Sequence, residues 1–107
     1  MAWIEVHQSL TTHRKLRTLA RLLHVRRSVA VGHLVCLWLW ALDNAPEGDL
    51  TGIDEEDIRE AADWPKKPGI LLEAMVATGF LDDDGGRLTI HNWDDYAGKL
   101  IDRRIRN

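Results

Sequence analysis

From Val29 to Leu42 the chain runs fourteen residues with almost no polar interruption, broken only by Gly32 and His33. That run leaves few folds open. It is longer than a typical strand of about 3–10 residues and shorter than the roughly 20 apolar residues a membrane helix needs. It therefore predicts a buried helix, capped by Ser28 and ending near Asp43-Asn44. A helix apolar on every side is either central in its domain or shared with a partner chain. With 107 residues in all, one copy has little left to cover every side. Self-association is therefore expected, with Trp3, Trp38 and Trp40 as the interface residues.

The flanking segments predict one small domain, mainly α with a small β-hairpin. Trp3-Ile4-Glu5-Val6-His7 alternates as a short arm or edge strand would. Leu16, Leu19, Ala20 and Leu23 have the i, i+3, i+4, i+7 spacing of one helical stripe, with Ser9, Thr11 or Thr12 as its cap. Asp49-Leu50-Thr51-Gly52 reads as a very short strand. Asp54 caps a helix whose first turn carries Glu55, Glu56 and Asp57, with Ile53 and Ile58 at the positions of a hydrophobic staple. That helix is expected to stop at Trp64-Pro65, because a residue before proline avoids the helical region. A further helix covers about Pro68 to Thr78 and stops at Gly79. Residues 80–90 form a hairpin turning at Gly85-Gly86. Asn92 then caps a last helix with Tyr96, Leu100 and Ile101 inward. That helix meets no stop signal before Asn107, which predicts that residues 1–107 are the N-terminal domain of a longer protein.

The net charge of -3 excludes a uniformly basic nucleic-acid coat. Its distribution is more informative. Residues 1–40 hold Arg14, Lys15, Arg17, Arg21, Arg26 and Arg27 against Glu5 alone, whereas residues 41–63 hold nine acids against Arg59. Packing the apolar stripe of the first helix turns Arg14, Arg17 and Arg21 outward together, as a phosphate-binding face or simply a solvated one. The acidic stretch is either a well-capped helix start or a dock for the basic helix of a second copy, which would make a salt-sensitive dimer. Cys36 is the only cysteine, which excludes an internal disulfide framework and fits a reducing, cytoplasmic setting. No secretory or membrane segment is expected.

This order of elements is that of a winged helix-turn-helix, with residues 80–91 as the wing. Four strings carry a family resemblance as a set: Trp3-Ile4-Glu5-Val6-His7, Thr12-His13-Arg14-Lys15, Leu37-Trp38-Leu39-Trp40-Ala41 and His91-Asn92-Trp93-Asp94-Asp95-Tyr96. The chain resembles the N-terminal domain of phage replisome organisers, relatives of the DnaD-like primosomal proteins, over about residues 3–106. The resemblance implies a phage- or prophage-encoded replication-initiation domain that self-associates and binds DNA. It also implies a further C-terminal region that engages the helicase-loading machinery.

The second helix of the helix-turn-helix pair, residues 68–78, offers Glu73 but no Arg, Asn or Gln for a bidentate base contact. Asp82-Asp83-Asp84 would repel phosphate. DNA contact is therefore expected at Arg14, Lys15, Arg17, Arg21, Arg26 and Arg27. Lys66, Lys67, Arg87, Arg103 and Arg104 are added if the fold brings them near, and the contacts would be mainly to phosphates with low sequence specificity. The alternatives are an oligomerisation module of the same fold without DNA affinity, or a prophage transcriptional regulator. His33 and Cys36 form at most half a metal site. Asp82, Asp84 and Gly85 fit a turn better than a calcium loop, and His91 near Asp94 and Asp95 lacks a nucleophile. No enzyme activity, cofactor or metal is expected.

Overall fold

In the computed structural model, which describes residues 3–98, the stripe Leu16, Leu19, Ala20 and Leu23 is the inner face of helix α1 (Arg14–Leu23). The expected strand at residues 3–7 does not form; that segment is irregular and leads into one 3-10 turn, Leu10–Thr12. Nor does a hydroxyl cap α1. His13 does so, its Nδ1 accepting the Lys15 backbone N–H at 3.1 Å. His24 ends the helix in the left-handed region with φ 56°. The chain then bends by 99° into α2 (Arg27–Asn44). This helix begins one residue before Ser28, with Arg26 at the cap position and no side-chain cap bond.

The fully apolar look of α2 conceals a one-sided helix. Ala30, His33, Leu34, Leu37, Trp38 and Ala41 are buried, at the spacing of one stripe. Trp38 is 2% exposed. The apolar pattern places it at an interface between copies; instead its indole fills this chain's own core and presents no surface to a partner. Trp40 is half-buried at the edge of the core and Trp3 is exposed.

Helix α3 (Glu55–Ala61) starts as expected, with Asp54 Oδ1 accepting the Glu56 N–H at 2.8 Å. It ends earlier than Trp64, since Ala62 is its C-cap and Asp63 takes φ 55°. Helix α4 (Pro68–Thr78) has proline in its first turn and stops at Gly79, φ 82°. Strands β1 (Leu81–Asp84) and β2 (Arg87–Ile90) pair antiparallel around Gly85-Gly86, both at positive φ. The expected strand near Asp49 is reduced to a bridge to Thr89, supported by Leu50 N–H to the Leu88 carbonyl and Ile90 N–H to the Gly48 carbonyl, 2.8 Å each. The fold is thus mainly helical with a small two-stranded sheet.

After β2, Asn92 sits at φ 56° and a single π-helical turn covers Asp94–Gly98. Among the described residues Asn92 makes no side-chain cap bond; its carbonyl accepts the Asp95 N–H. The inward positions expected for the Tyr96 side chain, Leu100 and Ile101 lie outside the described residues, as do Arg103 and Arg104. Trp93 anchors the turn by donating its indole N–H to the Pro46 carbonyl at 2.8 Å.

Gly48 makes that anchor possible. A Cβ there would lie 2.5 Å from Trp93 Cγ, and its φ is +76°. Gly48→Ala should cost about 2–5 kcal/mol, combining left-handed strain of about 1–2 with overpacking of about 1–3. Gly52 has φ +81° with nothing near its Cβ position, so Gly52→Ala should lose only the strain. Urea unfolding of the two variants separates the contributions.

Candidate nucleic-acid interface

Burial of one stripe of α1 leaves Arg14, Arg17 and Arg21 exposed on the other side. They are spaced by three and four residues, so they form one row about 10 Å long at 1.5 Å rise per residue. The helix carries no acid, and among the described residues none of the three arginines makes an ion pair. Their charge therefore faces solvent unneutralised.

The other expected cations divide. Lys15 is used by the fold: its Nζ donates to the Gly79 carbonyl at 3.1 Å and lies 5.3 Å from the Phe80 ring centroid. It ties α1 to the end of α4 and leaves the row. Arg27 is exposed but donates to the Thr11 carbonyl at 3.1 Å. Arg26, Lys66 and Lys67 are exposed. Arg87 has its Nε 3.8 Å from an Asp49 carboxyl oxygen, so its charge is already partly countered. The Asp49 carboxyl is in turn held below its ordinary value of 3.8 by the Thr51 hydroxyl and N–H, with Arg87 adding to the effect.

The outward side of α4 has no comparable charge. With strand β2 it walls an open groove of about 480 Å³ floored by Leu72, Val76 and Leu88, while Glu55, Glu73 and Asp83 stand at its rim. Carboxylates at that rim repel phosphate, and no side chain there can make a bidentate base contact.

A second hollow, of about 220 Å³, is lined by His7, His13 and His91 over Trp38 and Phe80. Two of those imidazoles are engaged: His13 caps α1, and His91 Nδ1 lies 2.8 Å from Asp82 Oδ2. Ser9 also lines it, but among the described residues no hydrogen bond joins its hydroxyl to an imidazole.

His33 and Cys36 do not converge, since His33 is buried and Cys36 exposed. The carbonyl of Ala62 can only accept, so His33 Nδ1 carries the proton and donates to it at 2.7 Å. The imidazole holds α2 to the end of α3. That role was hidden in the sequence, because its acceptor is a backbone atom 29 residues away. Among the described residues no group of three or more His, Cys, Asp or Glu side chains is placed to hold a metal, and no single helix is long and apolar enough to cross a membrane.

Comparison of the chain with protein-family models, curated proteins and solved structures gives no match.

Proposed function

We propose that this chain is a non-enzymatic replication-initiation domain of winged-helix fold, phage- or prophage-encoded, which self-associates and holds DNA by its phosphates. Support for the fold reading comes from the order of α2, the Asp49 bridge, α3, α4 and the β1–β2 hairpin. In that reading α3 and α4 are the helix-turn-helix pair and the hairpin is the wing. The binding reading rests on one observation: the exposed Arg14-Arg17-Arg21 row on α1, without an acid on its helix. Over a row of about 10 Å, duplex DNA presents roughly six phosphates. Arg26, Lys66 and Lys67 add exposed cations. Because α4 lacks base-reading donors, affinity is expected to be nearly independent of sequence.

The acidic, apolar-floored groove beside α4 favours a second reading, an oligomerisation or protein-interaction module of the same fold. Titration with random duplex DNA over a salt series separates the two. Phosphate binding makes log affinity fall linearly with log salt, by about 0.9 per phosphate contacted. No binding at low salt gives the decision to the interaction module.

A further inference from the structure

We propose that this chain pairs with a second copy of itself through the outward face of α2, the two helices running antiparallel about a two-fold axis between Gly32 and Cys36. The inference rests on the self-association in the reading above and gives it a surface: a monomer removes both, a dimer indifferent to the α2 variants removes only the surface, and DNA binding is tested apart.

The outward face of α2 is Ser28, Val29, Gly32, Cys36, Leu39 and Asp43, all exposed. Its only polar members stand at the two ends. Between them Val29 is 43% and Leu39 47% exposed, with half-buried Val35 and Trp40 at the flanks. Single exposed apolar residues are ordinary on any surface. A continuous apolar row on a helix of 18 residues is not. The solvent faces of α1 and α3 are charged, by Arg14, Arg17 and Arg21 and by Glu55, Glu56 and Glu60, and the outward side of α4 sets Glu73 between exposed Ile70 and Ala77; the α2 face has no charge from Val29 to Leu39.

Two further observations specify the occupant. First, the face is electrically self-complementary. Arg26 and Arg27 stand at the start of α2, and Arg27 is turned to the Thr11 carbonyl. Asp43 lies at the far end, where Asp57 and Glu60 of α3 share a hollow with Trp40 and Asn44. A parallel pair would set the basic ends together and the acidic ends together. An antiparallel pair sets Arg26 beside Asp43 of the second copy, Val29 opposite Leu39 and Gly32 opposite Cys36. Each contact then occurs twice, as two-fold symmetry requires. Second, Gly32 weakens a helix interior, and a Cβ there would meet nothing within 4 Å in the single chain. The isolated fold does not need glycine at that position, whereas close approach of a second helix does.

Sedimentation in reducing buffer, over a concentration and salt series, tests the pairing. The 12.2 kDa chain should form a dimer that dissociates on dilution and on adding salt. Leu39→Asp should leave a monomer that melts like the parent diluted until it too is monomeric, because the side chain is already half in solvent and only association is lost. Asp43→Arg should weaken the dimer at least tenfold, and adding Arg26→Asp should restore it. With Cys36→Ser, Val29→Cys and Leu39→Cys together, mild oxidation should give covalent dimers joined mainly between positions 29 and 39. A monomer at millimolar concentration, or a dimer indifferent to Leu39→Asp, overturns the proposal. Links mainly between like positions overturn its antiparallel arrangement.

Discussion

Trp64→Ala should remove about 3–5 kcal/mol of unfolding free energy, the usual cost of emptying a buried tryptophan site. Domains have only about 5–15 kcal/mol in total, so this one substitution brings the chain close to unfolding. The cause is position as well as volume. Trp64 is 1% exposed, and its indole N–H donates to the Lys67 carbonyl at 3.0 Å. Its own carbonyl accepts Arg59 Nη1 at 2.6 Å. Its ring meets His33 edge-on, with centroids 5.3 Å apart, and His33 is hydrogen-bonded to Ala62. One side chain therefore holds the α3–α4 turn against α2. Trp64 belongs to one continuous core with Leu34, Leu37 and Ile58, and close-packed cores relax only partly around a void. Trp64→Phe refills much of the volume and leaves the Lys67 carbonyl with only the Ile70 N–H, at 3.2 Å, so its loss should be smaller. Urea titration measures both; a loss under about 1 kcal/mol for Trp64→Ala would show that the turn is not held this way.

How much of this was readable in advance follows from the range of the interactions involved. The inner face of α1 was legible because Leu16, Leu19, Ala20 and Leu23 alternate with polar residues at one period. The limits of α4 and the hairpin turn were legible because Pro68, Gly79 and Gly85-Gly86 act through local backbone geometry. In α2 no such contrast exists. Two residues apart means about 200° around a helix, so Trp38 and Trp40 point to different sides, yet apolar neighbours everywhere conceal which side is inward. Trp38 went to the core and Trp40 to its edge. The caps misled for another reason. His13 and Arg26 stand where hydroxyl caps were the statistical expectation, and the fold's contacts set those helix starts instead. Within the candidate site, Arg14, Arg17 and Arg21 follow directly from the stripe they oppose. Lys15 does not, because its partner, the Gly79 carbonyl, is 64 residues distant.

The division between Lys15 and its arginine neighbours gives the sharpest functional expectation. If Arg14, Arg17 and Arg21 each neutralise one phosphate, changing all three to Ala should make the log–log salt slope shallower by about 2.7 on duplex DNA. On single strands the change should be about 2.1, because counterion release per phosphate is smaller there. Contacts that vanish toward 1 M salt are worth about 500-fold in duplex affinity at 0.1 M by the same relation. The loss should be equal on unrelated sequences, because phosphates carry no base identity. Stability should barely change, since the three side chains are exposed and make no ion pair among the described residues. Lys15→Met is the contrast. It removes a part-buried hydrogen bond and a cation–π contact, so about 1–2 kcal/mol of stability should go while the slope stays. A triple variant that binds with the parent's slope would clear α1 of the role and direct the search to Arg26, Lys66 and Lys67. Equal slope changes for Lys15→Met and for single arginine variants would mean that the lysine leaves Gly79 when DNA arrives. The paired measurement of slope and stability thus separates a cation that serves the fold from one that serves the ligand, on a helix where both kinds stand one residue apart.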